Sequence, residues 1–315
     1  MSLCLGFDTS NYTTSVAVFD GVSGKNVGRL LDVPQGSLGL RQSDALFQHV
    51  KRLPELVRRL REEGVLEGEI AAIGASTRPR EVEGSYMPCF LAGANQGQVL
   101  SDVLGVPFFP CSHQQGHIAA AAWSADRADL LDVPHFAWHL SGGTTELLYV
   151  QPDGSNVKAV CIGGTSDISA GQLIDRTGVL LGLQFPAGKA IDALSKEADR
   201  DTCFAVKINE GKFSLSGMEN KVKALIEQGE RPENIARFVL NTVASVLVRV
   251  TEQVQEEYPG APVLCSGGVA SNSLIRTRLE ESAGAVFAPP QYSTDNALGV
   301  AVLTYRAIKG GGLLA

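Results

Sequence analysis

The chain has 315 residues, more than a single hydrophobic core usually serves, so its length favours two domains or one large duplicated fold. With 44% hydrophobic and 19% charged residues, its composition is that of a globular protein. The net charge of −7 argues against broad, autonomous nucleic-acid binding, although a local basic patch or a basic partner is compatible with it. Because no signal peptide opens the chain and no apolar run is long enough to span a bilayer, we expect a cytoplasmic protein without membrane association.

The first segment predicts two neighbouring strands joined by a polar turn. Residues 3–8 form an apolar run typical of a buried strand, and residues 14–19 form a second one. Asp8, Thr9 and Ser10 open the turn, and such small polar residues with free backbone N–H groups are typical of a phosphate-binding turn. Further along, the pattern predicts helices over 43–63 and 91–104 and strands over 70–75 and 106–109.

Two histidines lie four residues apart where the next helix is predicted to begin. This spacing places the imidazoles of His113 and His117 on one helix face, within reach of one metal ion. Asp295, where the last helix is predicted to begin, adds a carboxylate, and two histidines with one carboxylate form a common open-sided metal triad. An isolated histidine pair at this spacing is more often an ordinary packed pair, so the prediction of a metal site depends on the motifs around it.

The strand–turn–strand pattern of the first segment returns in the second half of the chain. Residues 136–140 and 146–150 predict strands that flank the small, polar turn 141–145. Further helices are predicted over about 169–181, 189–198, 218–227, 232–257 and 294–308, with a strand over 263–266. A weak repeat of this kind indicates a duplicated architecture.

A glycine corner completes the set of motifs. Gly267 and Gly268 follow a predicted strand, where backbone can approach a ligand closely, and Asn272 offers its amide to a base or a sugar. Together, the two turns and this corner describe an α/β protein with the duplicated actin-like ATPase fold (ASKHA, RNase H-like) and two packed α/β lobes. We expect one lobe over 1–122 plus about 296–315, and a second over 123–295 with a helical insertion at about 165–235.

Seven segments, in order along nearly the whole chain, resemble the catalytic subunit of tRNA threonylcarbamoyladenosine synthesis, the TsaD-type family once called O-sialoglycoprotein endopeptidase. They are residues 6–10, 113–117, 141–147, 181–188, 213–217, 267–272 and 293–296. The resemblance implies transfer of a threonylcarbamoyl group from threonylcarbamoyl-AMP to N6 of adenosine 37 in ANN-decoding tRNA.

The resemblance also implies the ligands and partners. One divalent metal ion, iron or zinc, would be bound by His113, His117 and Asp295. ATP, ADP or threonylcarbamoyl-AMP would be bound by a set of residues in the second half: Leu140, Ser141, Gly142, Gly143, Thr144, Asp175, Gly188, Gly267, Gly268 and Asn272. The expected partners are tRNA, TsaB-like and TsaE-like proteins or a second family member, and, by analogy with other actin-like proteins, a second copy of this chain in a homodimer.

The chain departs from the family pattern around the expected substrate. Residues 11–13 replace Cys-Asp-Glu, and Thr144 replaces a histidine. Gly164, Ile168 and Gln172 stand where acids are expected, and Glu219 stands where a lysine is expected. Because these changes remove acids but leave the triad, an alternative is a catalytically silent paralog that binds metal and nucleotide and acts as a partner or regulatory subunit.

Two other activities fit less well. A small-molecule kinase of the same fold is permitted by the phosphate turns, but the histidine pair and Asp295 have no role in its mechanism. A metallopeptidase is disfavoured because its first histidine is normally followed by a glutamate that acts as general base, and the residue here is Gln114.

Overall fold

The computed structural model of the chain describes residues 2–10, 12–33 and 40–310. Asn11 of the first turn and residues 311–315, the end of the expected N-terminal lobe, lie outside the described residues. The strands are β1 (Ser2–Asp8), β2 (Thr13–Phe19), β3 (Gly24–Leu30), β4 (Glu69–Arg78), β5 (Phe108–Ser112), β6 (His135–Leu140), β7 (Thr145–Asp153), β8 (Asn156–Thr165), β9 (Ile208–Asn209), β10 (Lys212–Phe213), β11 (Val263–Ser266) and β12 (Val286–Phe287). The α-helices are α1 (Gln42–Glu62), α2 (Leu91–Leu104), α3 (His113–Ser124), α4 (Ala170–Leu180), α5 (Gly188–Ser195), α6 (Gly217–Glu227), α7 (Pro232–Glu257), α8 (Ser273–Ala283) and α9 (Leu298–Lys309).

The described residues form two compact units. The first comprises the described parts of Met1–Val133, Gln151–Ala159 and Tyr292–Ala315. The second comprises Pro134–Val150 and Val160–Gln291. The lobe boundaries expected from the sequence stay a prediction.

The sheet of the first unit has the order β3-β2-β1-β4-β5. β1 pairs antiparallel with β2, which pairs antiparallel with β3, whereas β1, β4 and β5 run parallel. The carboxyl ends of parallel strands meet at one edge of a sheet, and here β1 ends at Asp8 while β5 leads directly into His113. The topology therefore brings together two residues that lie far apart in the sequence.

The sheet of the second unit repeats this order. It runs β12-β11-β6-β7-β8-β10-β9, so that β8-β7-β6-β11-β12 corresponds to the first sheet. β6 pairs antiparallel with β7 and parallel with β11, as β1 does with β2 and β4. The predicted duplication of the strand–turn–strand pattern is therefore confirmed, and the short strands β10 and β9 extend the second sheet beyond β8.

Helix α9 packs directly on the centre of the first unit because glycines remove the side chains that would separate them. A Cβ atom on Gly6 of β1 would lie 2.7 Å from Ala297 O, and one on Gly299 of α9 would lie 1.8 Å from Gly116 O of α3. The backbones of α3 and α9 thus touch. This contact holds the histidine pair of α3 beside the segment that precedes α9.

The start of α9 differs from the prediction. The sequence predicts a helix from residue 294, but α9 begins at Leu298. Asn296 explains the difference, since its Oδ1 accepts the N–H of Leu298 (3.1 Å) and its Nδ2 donates to the carbonyl of Thr294 (2.7 Å), which stabilises a turn before the helix. Asp295 therefore lies in this turn and not in the first helical turn. Among the described helices, none combines the length and the apolar character needed to cross a membrane.

Candidate functional site

The two histidines of the predicted pair face each other at the start of α3. Ser112 caps this helix: its Oγ accepts the N–H of Gln115 (3.2 Å), and Gln115 Oε1 accepts the N–H of Ser112 (2.7 Å). With the first turn fixed in this way, the Nε2 atoms of His113 and His117 lie 2.9 Å apart. The sequence spacing therefore predicted correctly that the two imidazoles share one helix face.

Asp295 lies beside the pair. Its Oδ1 is 3.3 Å from Nε2 of His117 and 3.5 Å from Nε2 of His113. One donor atom from each of the three residues lies within 4.8 Å of the others. Two neutral imidazoles and one carboxylate suit iron or zinc, and bonds of about 2.1 Å to such an ion place neighbouring ligand atoms about 3.0 to 3.4 Å apart. The donor set fits a divalent transition metal, and the assignment of these three residues as its ligands stays a prediction.

The imidazole of His113 lies between two carboxylates. Its Nδ1 is 2.7 Å from Oδ2 of Asp8, and its Nε2 faces Asp295. Burial opposes a charge on His113, but the two carboxylates outweigh burial and raise the pKa of His113 to about 10. Burial likewise acts to raise the pKa values of Asp8 and Asp295, but the histidines outweigh it and hold both pKa values below their usual range.

Thr13, the first residue of β2, contacts the third member of the triad. Its hydroxyl donates to Oδ2 of Asp295 (3.3 Å), the oxygen that does not face the histidines. A neutral hydrogen bond from the start of β2 therefore supports the carboxylate of Asp295.

The turn after β1 uses two of its three predicted phosphate-binding side chains internally. Besides its contact with His113, Asp8 accepts the N–H of Ser10 through Oδ1 (2.9 Å). Thr9 Oγ1 donates to the carbonyl of Cys89 (2.9 Å) and accepts the N–H of Gly93 (3.1 Å). The hydroxyl of Ser10 is buried and has no hydrogen-bond partner among the described residues. Phosphate binding by this turn stays a prediction. Among the three side chains, the hydroxyl of Ser10 is the group available to bind a phosphate.

Cys111, two residues before His113, does not join the donor set. Its thiol donates to the carbonyl of Ala75 (3.8 Å) and is buried. Burial raises the pKa of Cys111, so the thiolate that a metal requires is disfavoured.

In the second unit, the residues between β6 and β7 form a tight turn with two open glycines. The N–H of Ser141 donates to the carbonyl of Thr144 (2.8 Å), and the N–H of Thr144 donates to Ser141 Oγ (3.0 Å). A Cβ atom on Gly142 or Gly143 would meet nothing within 4 Å. Leu140, the last residue of β6, is completely buried, so a ligand at this turn would meet its backbone and not its side chain.

The N-terminus of α4 is packed tightly on this turn. Ser169 Oγ donates to the carbonyl of Gly142 (2.6 Å), and the N–H of Ala170 donates to Thr145 Oγ1 (2.8 Å). A Cβ atom on Gly171 would lie 2.5 Å from Ser141 O. The turn and the helix start are therefore held in one fixed arrangement.

Asp175 and Gly188 are linked through the segment that joins α4 to α5. Asp175 Oδ1 accepts the N–H of Ala187 (2.8 Å), directly before Gly188, the first residue of α5. A Cβ atom on Gly188 would meet nothing within 4 Å. One oxygen of Asp175 thus holds the start of α5, which is a structural role that the sequence did not predict. Ribose binding by this carboxylate stays a prediction.

The predicted glycine corner follows β11. Gly267 has a φ of +99°, and a Cβ atom there would lie 2.1 Å from the carbonyl oxygen of Leu140, so only glycine suits the position. Gly268 is open. Asn272 is the N-cap of α8, and its Oδ1 accepts the N–H of Ile275 (3.1 Å). The contact of Asn272 with a base or a sugar stays a prediction, for which the Nδ2 group is the available donor.

The roles of three residues were not predicted from the sequence. Asp8 and Thr13 contact members of the triad, and Asp167 holds a distant segment in place. Asp167 accepts the N–H groups of Leu215 (2.8 Å) and Ser216 (3.2 Å), which ties the segment 213–217 to the residues before α4. For Asp8 an indication was present, because predicted strands precede both Asp8 and His113, and parallel strands of one sheet end at the same edge. For Thr13 and Asp167 the contacts depend on turns whose course the sequence does not reveal.

The fold places the chain among proteins with the actin-like ATPase fold. Full-length HypF, solved in a phosphate- and nucleotide-bound form, superposes with a TM-score of 0.63 at 13% identity, over 100% of this chain and 47% of HypF. The ROK hexokinase from Thermus thermophilus superposes with a TM-score of 0.52 at 14% identity, over 98% of this chain and 100% of the hexokinase. At these identities the likeness concerns the fold alone.

The family follows from the sequence comparisons. Residues 39–302 match the TsaD family, described as tRNA N6-adenosine threonylcarbamoyltransferase. A tRNA N6-adenosine threonylcarbamoyltransferase from Sulfurihydrogenibium sp. (strain YO3AOP1) is 31% identical over 98% of this chain and 91% of its own length. The chain therefore belongs to the TsaD family.

Proposed function

We propose that this chain transfers a threonylcarbamoyl group from threonylcarbamoyl-AMP to N6 of adenosine 37 in ANN-decoding tRNA. The observation that carries the proposal is the convergence of His113, His117 and Asp295, whose donor atoms lie within 4.8 Å of one another in a chain of this family. In this reaction N6 forms a bond to the carbamoyl carbon, the bond from that carbon to the phosphate oxygen breaks, AMP leaves, and one proton is released.

The proposed metal ligands are His113, His117 and Asp295, and the donor set suits one divalent ion, iron or zinc. When bound, such an ion supplies Lewis-acid stabilisation of negative charge on the acyl-phosphate oxygens. The three side chains are 18%, 8% and 32% exposed, so they are shielded from solvent but not sealed from a substrate.

The adenylate, or ATP or ADP, is proposed to bind to the second unit. The N–H groups of Gly142 and Gly143 are on open backbone, which suits the approach of a phosphate. The oxygen of Asp175 that does not hold Ala187 is proposed to accept hydrogen bonds from ribose hydroxyls. The amide Nδ2 of Asn272 is proposed to donate to the base or the sugar.

The partners and the location are proposed from the family and the charge. A net charge of −7 disfavours tRNA binding by this chain alone, so we propose that TsaB-like and TsaE-like proteins assist it. A homodimer and a cytoplasmic location are further parts of this proposal.

A single-turnover assay tests the proposal. Protein loaded with iron or zinc is mixed with threonylcarbamoyl-AMP labelled in its threonine and with unmodified ANN-decoding tRNA, with partner proteins added. We expect label to appear in the tRNA with the wild-type chain and with Cys111→Ser, a conservative change two residues from the pair, and to be lost with His113→Ala. Binding of the adenylate without transfer under all these conditions would contradict the proposal and favour the silent paralog.

A further inference from the structure

The carboxylate of Asp8 is buried behind His113, and each of its oxygens makes a hydrogen bond. Its side chain is 1% exposed. Oδ2 lies 2.7 Å from Nδ1 of His113, and Oδ1 accepts the N–H of Ser10 (2.9 Å). With both oxygens used in this way, Asp8 is poorly placed to bind phosphate or solvent, and its position instead fixes the ring of His113.

The ring of His113 is held on several sides. Asp8 contacts Nδ1 of the ring, and Nε2 faces His117 and Asp295. The centroid of the Phe90 ring lies 6.1 Å from that of His113. If Nδ1 carries the hydrogen that Asp8 accepts, the lone pair of neutral His113 is on Nε2 and points at the other donor atoms. Metal-binding histidines commonly donate their second ring N–H to a carboxylate in this manner.

The third member of the triad is held in a comparable way from the next strand. Thr13, at the start of β2, donates to Oδ2 of Asp295 (3.3 Å), which leaves Oδ1 facing the two histidines. The antiparallel pair β1–β2 thus supports two of the three proposed ligands, one through the end of β1 and the other through the start of β2.

We propose that Asp8 and Thr13 are positioning residues that orient His113 and Asp295 for the metal, with Asp8 the stronger of the two. This inference rests on the proposed function, because it presupposes the metal site. Asp8 has the larger effect because its contact is short, buried and made by a charged group, whereas the contact of Thr13 is long and neutral. The charge also fits, since Asp8 and Asp295 together balance the two positive charges of a divalent ion.

Cobalt(II) is a suitable probe, because its visible absorption reports the arrangement of its ligands independently of catalysis. The full chain is stripped of metal and titrated with cobalt(II), following both calorimetric affinity and the absorption spectrum. For Asp8→Asn we expect cobalt to bind about 10- to 100-fold more weakly, with an altered spectrum. For Thr13→Val, which has the same shape without the hydroxyl, we expect a smaller but measurable loss of affinity, below about 10-fold.

The controls separate this inference from the proposed function. His113→Ala is expected to abolish the wild-type spectrum, and Cys111→Ser to leave affinity and spectrum unchanged. In one outcome, the wild type binds cobalt in a His113-dependent way and folded Asp8→Asn has the same affinity and spectrum. That result would contradict the role of Asp8 but support the metal site. If the wild type binds no cobalt, the metal site itself fails. Should Asp8→Asn not fold, Thr13→Val still tests the second contact, and an unchanged affinity there contradicts the role of Thr13.

Discussion

Two histidines of the first unit, His113 and His49, differ in the charge of their hydrogen-bond partners. Asp8 and His113 neutralise each other in a contact of 2.7 Å. His49, on α1, is completely buried, but it hydrogen-bonds only to a neutral hydroxyl, Thr14 Oγ1 (2.8 Å), and its Nε2 has no partner among the described residues. In the metal-free chain, His113 is therefore expected to be charged, whereas His49 is expected to be neutral.

The neutral state of His49 makes stability depend on pH. Burial, assisted by Arg52 and opposed by Asp8, lowers the pKa of His49 from 6.5 to about 4. The folded chain then binds fewer protons than the unfolded chain between these values, so this contribution to stability is complete above pH 6.5 and is lost as the pH falls towards 4. The difference corresponds to about 3 kcal/mol.

Urea unfolding of the metal-free chain between pH 7 and pH 4 measures this effect. We expect His49→Asn, which keeps a polar group near Thr14 but does not titrate, to lose less stability than the wild type as the pH falls through this range. Parallel stability curves for the two proteins would show that His49 does not titrate as described.

At the scale of elements, the contact between α3 and α9 decides whether the triad can form. His113 and His117 come from α3, and Asp295 from the turn before α9. The two helices touch at Gly116 and Gly299, where a Cβ atom on Gly299 would lie 1.8 Å from Gly116 O. No side chain fits between them, so the distance between the histidines and Asp295 is set by this glycine contact.

Gly299→Ala tests this dependence. The added methyl group must push α9 from α3, which we expect to lower stability by about 1 to 3 kcal/mol and to weaken cobalt(II) binding. Gly217→Ala at the start of α6 is the matched control, because a Cβ atom on this helical glycine would meet nothing within 4 Å. If Gly299→Ala binds cobalt and unfolds like Gly217→Ala, the glycine contact does not set the position of Asp295.

The helices and strands also show which structural features could be predicted from the sequence alone. The bounds of α2 and α7 and the facing of His113 and His117 were predicted correctly, because they depend on local periodicity. The start of α9 was placed four residues too early, since the side chain of Asn296 stabilises a turn that helix propensity does not reveal. The contact of Asp8 with His113 joins residues 105 positions apart, and only the strand order brings them together.

At the scale of the whole molecule, the two sheets share one strand order, and the chain belongs to the TsaD family. The fold class was predictable because the strand–turn–strand pattern occurs twice. The contacts of the proposed nucleotide-binding residues were harder to predict. Asp175 and Asn272 each use one side-chain oxygen to hold the start of a helix. Such double use depends on packing that no spacing in the sequence encodes.

The measurement that tests the central claim most directly is threonylcarbamoyl transfer before and after metal removal. The wild-type chain, with partner proteins, threonylcarbamoyl-AMP and ANN-decoding tRNA, is assayed as loaded protein, after chelation, and after iron or zinc is restored. We predict that chelation abolishes the modified nucleoside at adenosine 37, that restoring one metal recovers it, and that Asp295→Ala shows no recovery. Transfer that persists without metal, or that Asp295→Ala supports at the wild-type rate, would contradict the account.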